Sequence, residues 1–351
     1  LFINFIEKLK DKYNINIDVF IEKEPLGECG VLWQIKDKLS EEFFFINGDL
    51  VYSIDFNRLY DFHTRLSSNI TLITHTSDHP EDSDLVSAPN GSLVEEIFFK
   101  DSKTFQKGNA YLGNSGIFVI KKNLLDKINP PQKNIVGSVF NYIVKKTFDL
   151  NINIYSYNTT EYIKDMGTPL RLNKVKEDIL ANKVNSKNYL NKQKALFLDR
   201  DNTIIECEKG NYILKEDDIK FLEYNINRIS HIAKDYNIVC LVTNQPSISM
   251  GKLTVEKLEI INSIVINYCL SKGLKIDVVT FCPHHPHKGF EKEIAILKKD
   301  CFCRKPNPGL ILEQAFLRNI DLGESLMIGD SENDFKAAEN AGSNFVNVNS
   351  L

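Results

Sequence analysis

The chain lacks the features that would place it in a membrane, outside the cell or on nucleic acid. No apolar run in its 351 residues approaches the roughly 18 that a membrane-spanning helix needs. Lysines and glutamates punctuate the opening, so nothing there reads as a signal peptide. The seven cysteines form no disulfide framework, and a cytoplasmic, reducing compartment is expected. Positive charge is not in excess either. The formal net charge is −4 and no basic stripe stands out, which argues against nucleic acid as a partner. There is no internal repeat, and the length suits two domains. Residues 181–193, rich in Asn, Lys and Ser without apolar period, read as the linker between a domain 1–180 and a domain 194–351.

What is present is concentrated at the ends of apolar runs. Ala195-Leu-Phe-Leu leads into Asp199-Arg-Asp201-Asn-Thr203. Side chains two apart on a strand point the same way, so both carboxylates can address one ligand. Paired carboxylates also attract a divalent cation. Ile238-Val-Cys-Leu-Val leads into Thr243-Asn244-Gln245, and Ser325-Leu-Met-Ile into Gly329-Asp330-Ser331, with Asp334 close behind; Arg304-Lys305-Pro306 lies between. Continuous apolar runs suit strands of a parallel sheet buried on both faces. Ligands of such sheets bind at the carboxyl edge.

In this order the four motifs resemble those of the haloacid dehalogenase (HAD) superfamily of phosphohydrolases, over roughly residues 194–351. The resemblance implies a nucleophile at Asp199, attacking phosphorus to give an aspartyl-phosphate. Asp201 would be the general acid and base. Thr243 and Lys305 would stabilise the transferring phosphoryl group, with Asn244 and Arg304 binding substrate. Mg²⁺ would be held by Asp199, Asp330 and the main-chain carbonyl of Asp201, while Asp334 orients Lys305 or the metal shell. About 40 residues separate Thr203 from Thr243 and about 60 separate Thr243 from Lys305, too few for a separate folded cap. The site is therefore expected to be open. Where the family commonly has an arginine, this chain has Met250 before Gly251. A grip on a distal phosphate is thus expected to be weaker, and Met250→Arg to lower KM.

Three of the seven cysteines and three of the seven histidines fall in Cys282-Pro-His284-His285-Pro-His287 and Cys301-Phe-Cys303. Thiolates and imidazole at this spacing suit a closed structural Zn²⁺ site on Cys282, His284, Cys301 and Cys303. A redox CxC pair is the alternative. The arrangement resembles that of the zinc-containing heptose 1,7-bisphosphate phosphatases and the related histidinol-phosphate phosphatases, which implies a small sugar-phosphate substrate.

The first half alternates strand-like runs (15–21, 43–46, 70–74, 116–120, 152–157) with helical stretches (2–13, 138–147), an α/β pattern with a mostly parallel sheet expected. Glu24-Pro-Leu-Gly27-Glu-Cys-Gly30, Asn47-Gly48-Asp49, Asn114-Ser-Gly116 and Asp165-Met-Gly167-Thr168-Pro169 resemble motifs of the sugar-1-phosphate nucleotidyltransferases. That implies Mg²⁺ bound by Asp49 and Asp165 and a sugar-phosphate contact from Lys100. The family's basic triphosphate loop would precede Leu1, so the chain reads as a fragment or a truncated domain, without pyrophosphate-releasing activity. The overall expectation is an α/β protein of two domains, each a mostly parallel sheet flanked by helices. The first would be nucleotidyltransferase-like and the second a capless HAD phosphatase.

Overall fold

A computed structural model describes residues 2–22, 24–77, 80–89, 91–100, 111–131, 138–208 and 210–351. The first half builds strands β1 (Glu42–Ile46), β2 (Leu50–Ser53), β3 (Ile70–Thr76), β4 (Leu85–Ser87), β5 (Glu96–Phe98), β6 (Leu112–Lys121), β7 (Ile154–Asn158) and β8 (Tyr162–Asp165). The second builds β9 (Ala195–Leu198), β10 (Ile238–Asn244), β11 (Val278–Cys282), β12 (Leu326–Gly329) and β13 (Asn344–Asn347). The α/β class and the division into two sheet systems follow the sequence expectation.

The second sheet is parallel throughout, in the order β11-β10-β9-β12-β13. Its central strand, Ala195-Leu-Phe-Leu, is inaccessible to solvent at all four residues, because helices cover both faces. Leu196 and Leu198 face a core with Ile226, Ile229 and Leu258; Ala195 and Phe197 face one with Leu310, Ile311 and Ala338. Continuous apolarity thus reports two-sided burial, as expected.

The first sheet is mixed, where a mostly parallel one was expected. Among the described residues only β3 and β7 pair parallel in it; β1 and β3 pair β6 antiparallel, as do β4 with β5 and β6. Apolar runs indicate how many faces of a strand are buried, not which way its neighbour runs. A further correction concerns 15–21, which forms no strand. Ile15, Val19 and Ile21 remain exposed, Ile21 at 72%, and among the described residues no strand pairs with the run. An extended run without a partner leaves its N–H and C=O groups to water. The helix Phe2–Tyr13 forms as predicted.

The two halves share an interface. Ser87 donates to Glu259 on the helix Val255–Ser271 (2.6 Å), Thr76 to the Asp277 carbonyl (2.9 Å), and Arg58 to the carbonyls of Phe316 and Leu317 (3.2 and 3.3 Å). Tyr111 packs against both cores. The connection 181–193 is wound, not extended. Gln193 donates to the carbonyls of Ser186, Asn188 and Asn191 (3.0 Å each), and buried Tyr189 bonds Thr160 through its hydroxyl.

Candidate active site

The carboxyl edge of the parallel sheet gathers the motif residues. The Asp199 N–H donates to the Ile328 carbonyl (2.9 Å), so the ladder continues one residue past β9 and fixes where that carboxylate emerges. Gly329 ends β12 next door. A Cβ there would lie 2.5 Å from carbon atoms of Asp334, so only glycine lets Asp334 reach the strand ends. Asp334 is held in turn by a capping box with Ser331, whose N–H and hydroxyl both donate to Asp334 Oδ2 (3.1 and 2.6 Å).

Lys305 enters from the loop between β11 and β12 and is 4% exposed. Its ammonium donates to Asp199 Oδ1 (2.5 Å), Asp334 Oδ1 (2.6 Å) and the Val242 carbonyl (2.8 Å), which uses all three of its protons. Burial opposes this charge, but the two carboxylates outweigh burial and raise the lysine's pKa. Burial likewise pushes Asp199 up, to about 7, against the pull of Lys305 and with the help of Asp334 and Asp201. Asp330 is raised too, by burial first and then by Asp334. Ligand oxygens of Asp199, Asp330 and Asp334 lie within 4.8 Å of one another. Crowded, partly desolvated carboxylates of this kind suit a divalent cation.

Asp201 is set by a residue that sequence reasoning passed over. Arg200 is fully buried, and its guanidinium forks onto Asp201 (2.9 and 3.2 Å) while its third arm donates to Asn262 (3.1 Å). Gln245 also donates to Asp201 Oδ2 (3.1 Å) and to Thr243 Oγ1 (3.0 Å). The signal was the charged residue between two motif aspartates. A charge buried beside them demands a partner.

Of two residues expected to touch substrate, Asn244 is committed elsewhere and Arg304 in part. The Asn244 side chain brackets the Lys305 backbone, donating to its carbonyl and accepting from its N–H (both 3.0 Å). It therefore positions the lysine. Arg304 directs one N–H to the His284 carbonyl (3.2 Å), tying the motif to the Cys/His loop. Met250 is 4% exposed, so an arginine there would be buried, not presented to a ligand as expected.

The four predicted metal-binding side chains of that loop come together. Cys282 Sγ lies 3.6 Å from His284 Nδ1, 3.5 Å from Cys301 Sγ and 3.3 Å from Cys303 Sγ; Cys303 Sγ is 3.3 Å from both His284 Nδ1 and Cys301 Sγ. Such edges describe a small tetrahedron of three thiols and one imidazole. His285 and His287 stay outside it, stacked edge to face on each other.

In the first half the four motifs also meet. The Asn47 N–H donates to the Gly116 carbonyl (3.1 Å). β2 pairs β8 so that Leu50 faces Asp165, and a Cβ on Gly167 would lie 3.0 Å from Asp165 Oδ1 and 3.6 Å from Asp49 Oδ2. Burial, then the charges of Asp49 and Asp84, raise the pKa of Glu28. Asp165 already has partners, however: the Gly167 N–H on Oδ1 and Arg171 on Oδ2. Lys100 is 3.3 Å from Asp82, which also faces Arg171 at 3.5 Å.

Parts of this chain are similar to known proteins. A family model described as HAD-hydrolase-like matches residues 302–350. The D-glycero-beta-D-manno-heptose-1,7-bisphosphate 7-phosphatase of Vibrio cholerae is 35% identical over 148 residues, 42% of this chain and 76% of that protein. The D,D-heptose 1,7-bisphosphate phosphatase of B. bronchiseptica, solved with magnesium and phosphate, is 27% identical over 43% of this chain and 78% of that one, with a TM-score of 0.37. The inositol-1-phosphate CTP transferase of T. maritima is 18% identical over 51% of this chain and 71% of that one, with a TM-score of 0.42. No described helix is long and apolar enough to cross a membrane. With two motif carboxylates, a buried lysine and a Cys/His tetrahedron at one sheet edge, and a relative matched over three quarters of its length, the chain belongs to the heptose-bisphosphate phosphatase family of HAD-type hydrolases.

Proposed function

We propose that residues 194–351 form a cytoplasmic D-glycero-D-manno-heptose 1,7-bisphosphate 7-phosphatase, joined through 181–193 to a nucleotidyltransferase-like domain at 1–180. The observation that carries the reading is Asp199, fixed by the end of β9 and by Lys305, beside a separately braced Asp201. Asp199 Oδ attacks phosphorus in line with the 7-oxygen, and the P–O bond to the sugar breaks as Asp201 delivers its proton to that oxygen. Arg200 and Gln245 hold the Asp201 carboxyl in position for both halves of the cycle. Asp201, now ionised, takes a proton from water, whose oxygen attacks phosphorus and frees Asp199. Lys305 keeps a positive charge against the negative charge that develops on the phosphoryl oxygens, and Thr243 offers its hydroxyl there.

Asp199 and Asp330 fit a divalent cation, and with the Asp201 carbonyl they would hold Mg²⁺, whose charge when bound offsets that of the phosphate oxygens. Cys282, His284, Cys301 and Cys303 fit Zn²⁺ by donor type and mutual distance, in a structural role. Asp165 is held by the Gly167 N–H and Arg171 beside Asp49, a pair that would hold Mg²⁺ only with Arg171 sharing its carboxylate. No chemistry is assigned to that half.

Phosphate release from heptose 1,7-bisphosphate and from histidinol phosphate, compared under the same Mg²⁺ conditions, tests the substrate. A higher kcat/KM for the bisphosphate is expected. The reverse order would replace the heptose assignment and keep the phosphatase chemistry.

A further inference from the structure

A bisphosphate needs a second anion site, and the cations at the motif positions are engaged wholly (Lys305) or in part (Arg304). Lys305 has all three protons placed, Arg304 reaches back to His284, and position 250 is a buried methionine. We propose that Lys252, carried over the ring of Tyr212, receives the phosphate that is not hydrolysed. This rests on the bisphosphate reading above.

Two arms leave the site and meet at this pair. One runs from Asp201 through Cys207, whose thiol is pushed up to about 11 by burial and then by the charge of Asp201. Cys207 Sγ contacts the Asn211 carbonyl at 3.4 Å, and Tyr212 follows. The other runs from Gln245, bonded to Asp201, through a tight turn in which the Lys252 N–H donates to the Ser247 carbonyl (2.9 Å). The Lys252 ammonium lies 5.1 Å from the Tyr212 ring centroid.

Both residues are anchored by their neighbours. Ile213 and Leu253 are buried in one cluster with Ile204, Ile205 and Ile248. The turn is pressed from the other side by the Cys/His loop: a Cβ on Gly251 would lie 1.8 Å from the Lys292 carbonyl, and the Ile294 N–H donates to the Ser249 carbonyl (3.0 Å). Lys252 is exposed and, among the described residues, faces no carboxylate. An aromatic face steers an ammonium without neutralising it. The charge is therefore held in place and left available to an anion.

The test compares KM for heptose 1,7-bisphosphate with KM for p-nitrophenyl phosphate, which has no second phosphate, in the full chain. Lys252→Met should raise the ratio of the two KM values about tenfold or more with little change in kcat, since the grip is made equally in ground and transition states. Lys252→Arg should restore the ratio. Added salt should erode the wild-type preference for the bisphosphate and leave that of Lys252→Met little changed. An unchanged ratio in Lys252→Met overturns the assignment of Lys252 alone. A wild-type chain that hydrolyses p-nitrophenyl phosphate but not the bisphosphate overturns the substrate reading, and Lys252 with it.

Discussion

Asp199 and Asp334 share one ammonium but do different work, and substitutions should separate them. Asp199→Asn leaves Lys305 its bonds to Asp334 and the Val242 carbonyl, so the fold should persist. Phosphatase activity should fall at least about a thousandfold, because the attacking oxygen is lost; near wild-type turnover in a purified, folded variant would remove Asp199 from its role. Asp334→Ala takes a charged acceptor from a buried lysine and the reciprocal bond from the Ser331 cap. Stability should drop by about 2–3 kcal/mol, read from urea unfolding. Asp199 and Asp330 were legible in the sequence because each closes an apolar run, and Lys305 and Asp334 because they stand beside such motifs. Arg200, Gln245 and Asn262 were less so: they brace Asp201 from the next residue or across space, directly or through Arg200, and spacing does not reveal which groups hold a carboxylate.

At the scale of elements, the loop from β11 to Lys305 depends on its Cys/His tetrahedron. The pure protein should carry about one zinc per chain, measured by elemental analysis. Chelation, or Cys301→Ser, should lower the melting temperature and phosphatase activity together, because the same loop presents Lys305 and presses on the turn before Lys252. Loss of metal with unchanged melting would show that the loop holds itself. The strands that the sequence disclosed are those with apolar runs, β1, β3, β7 and the middle of β6 in the first half and β9, β10 and β12 in the second. Short β4 and β5 escaped notice because three residues carry no period, and β11 because Val278–Cys282 is only partly covered. The run 15–21 has a strand's alternation but no partner in the described structure, and alternation alone cannot supply one.

At the scale of the whole molecule, the interface should respond to pH through Glu259. Burial pushes this carboxyl from 4.5 up to about 7, so the folded chain favours its protonated form. The stability this contributes is present below about pH 4.5 and is lost as pH rises through 7. Glu259→Gln, which keeps an acceptor for Ser87 without the charge, should stabilise the chain at pH 8 by up to about 3 kcal/mol. That gain should shrink at pH 5; a gain of equal size at both values would mean that burial does not raise the Glu259 carboxyl in the folded chain. The interface has one more meaning. Tyr111 belongs to both cores, and each half completes hydrogen bonds of the other. A cut through 181–193 would therefore not yield two ready-made proteins. The phosphatase half would keep its chemistry but carry an unfinished face, and a lineage that discarded the first half would have to rewrite Glu259 and its neighbours before the remainder could stand in water alone.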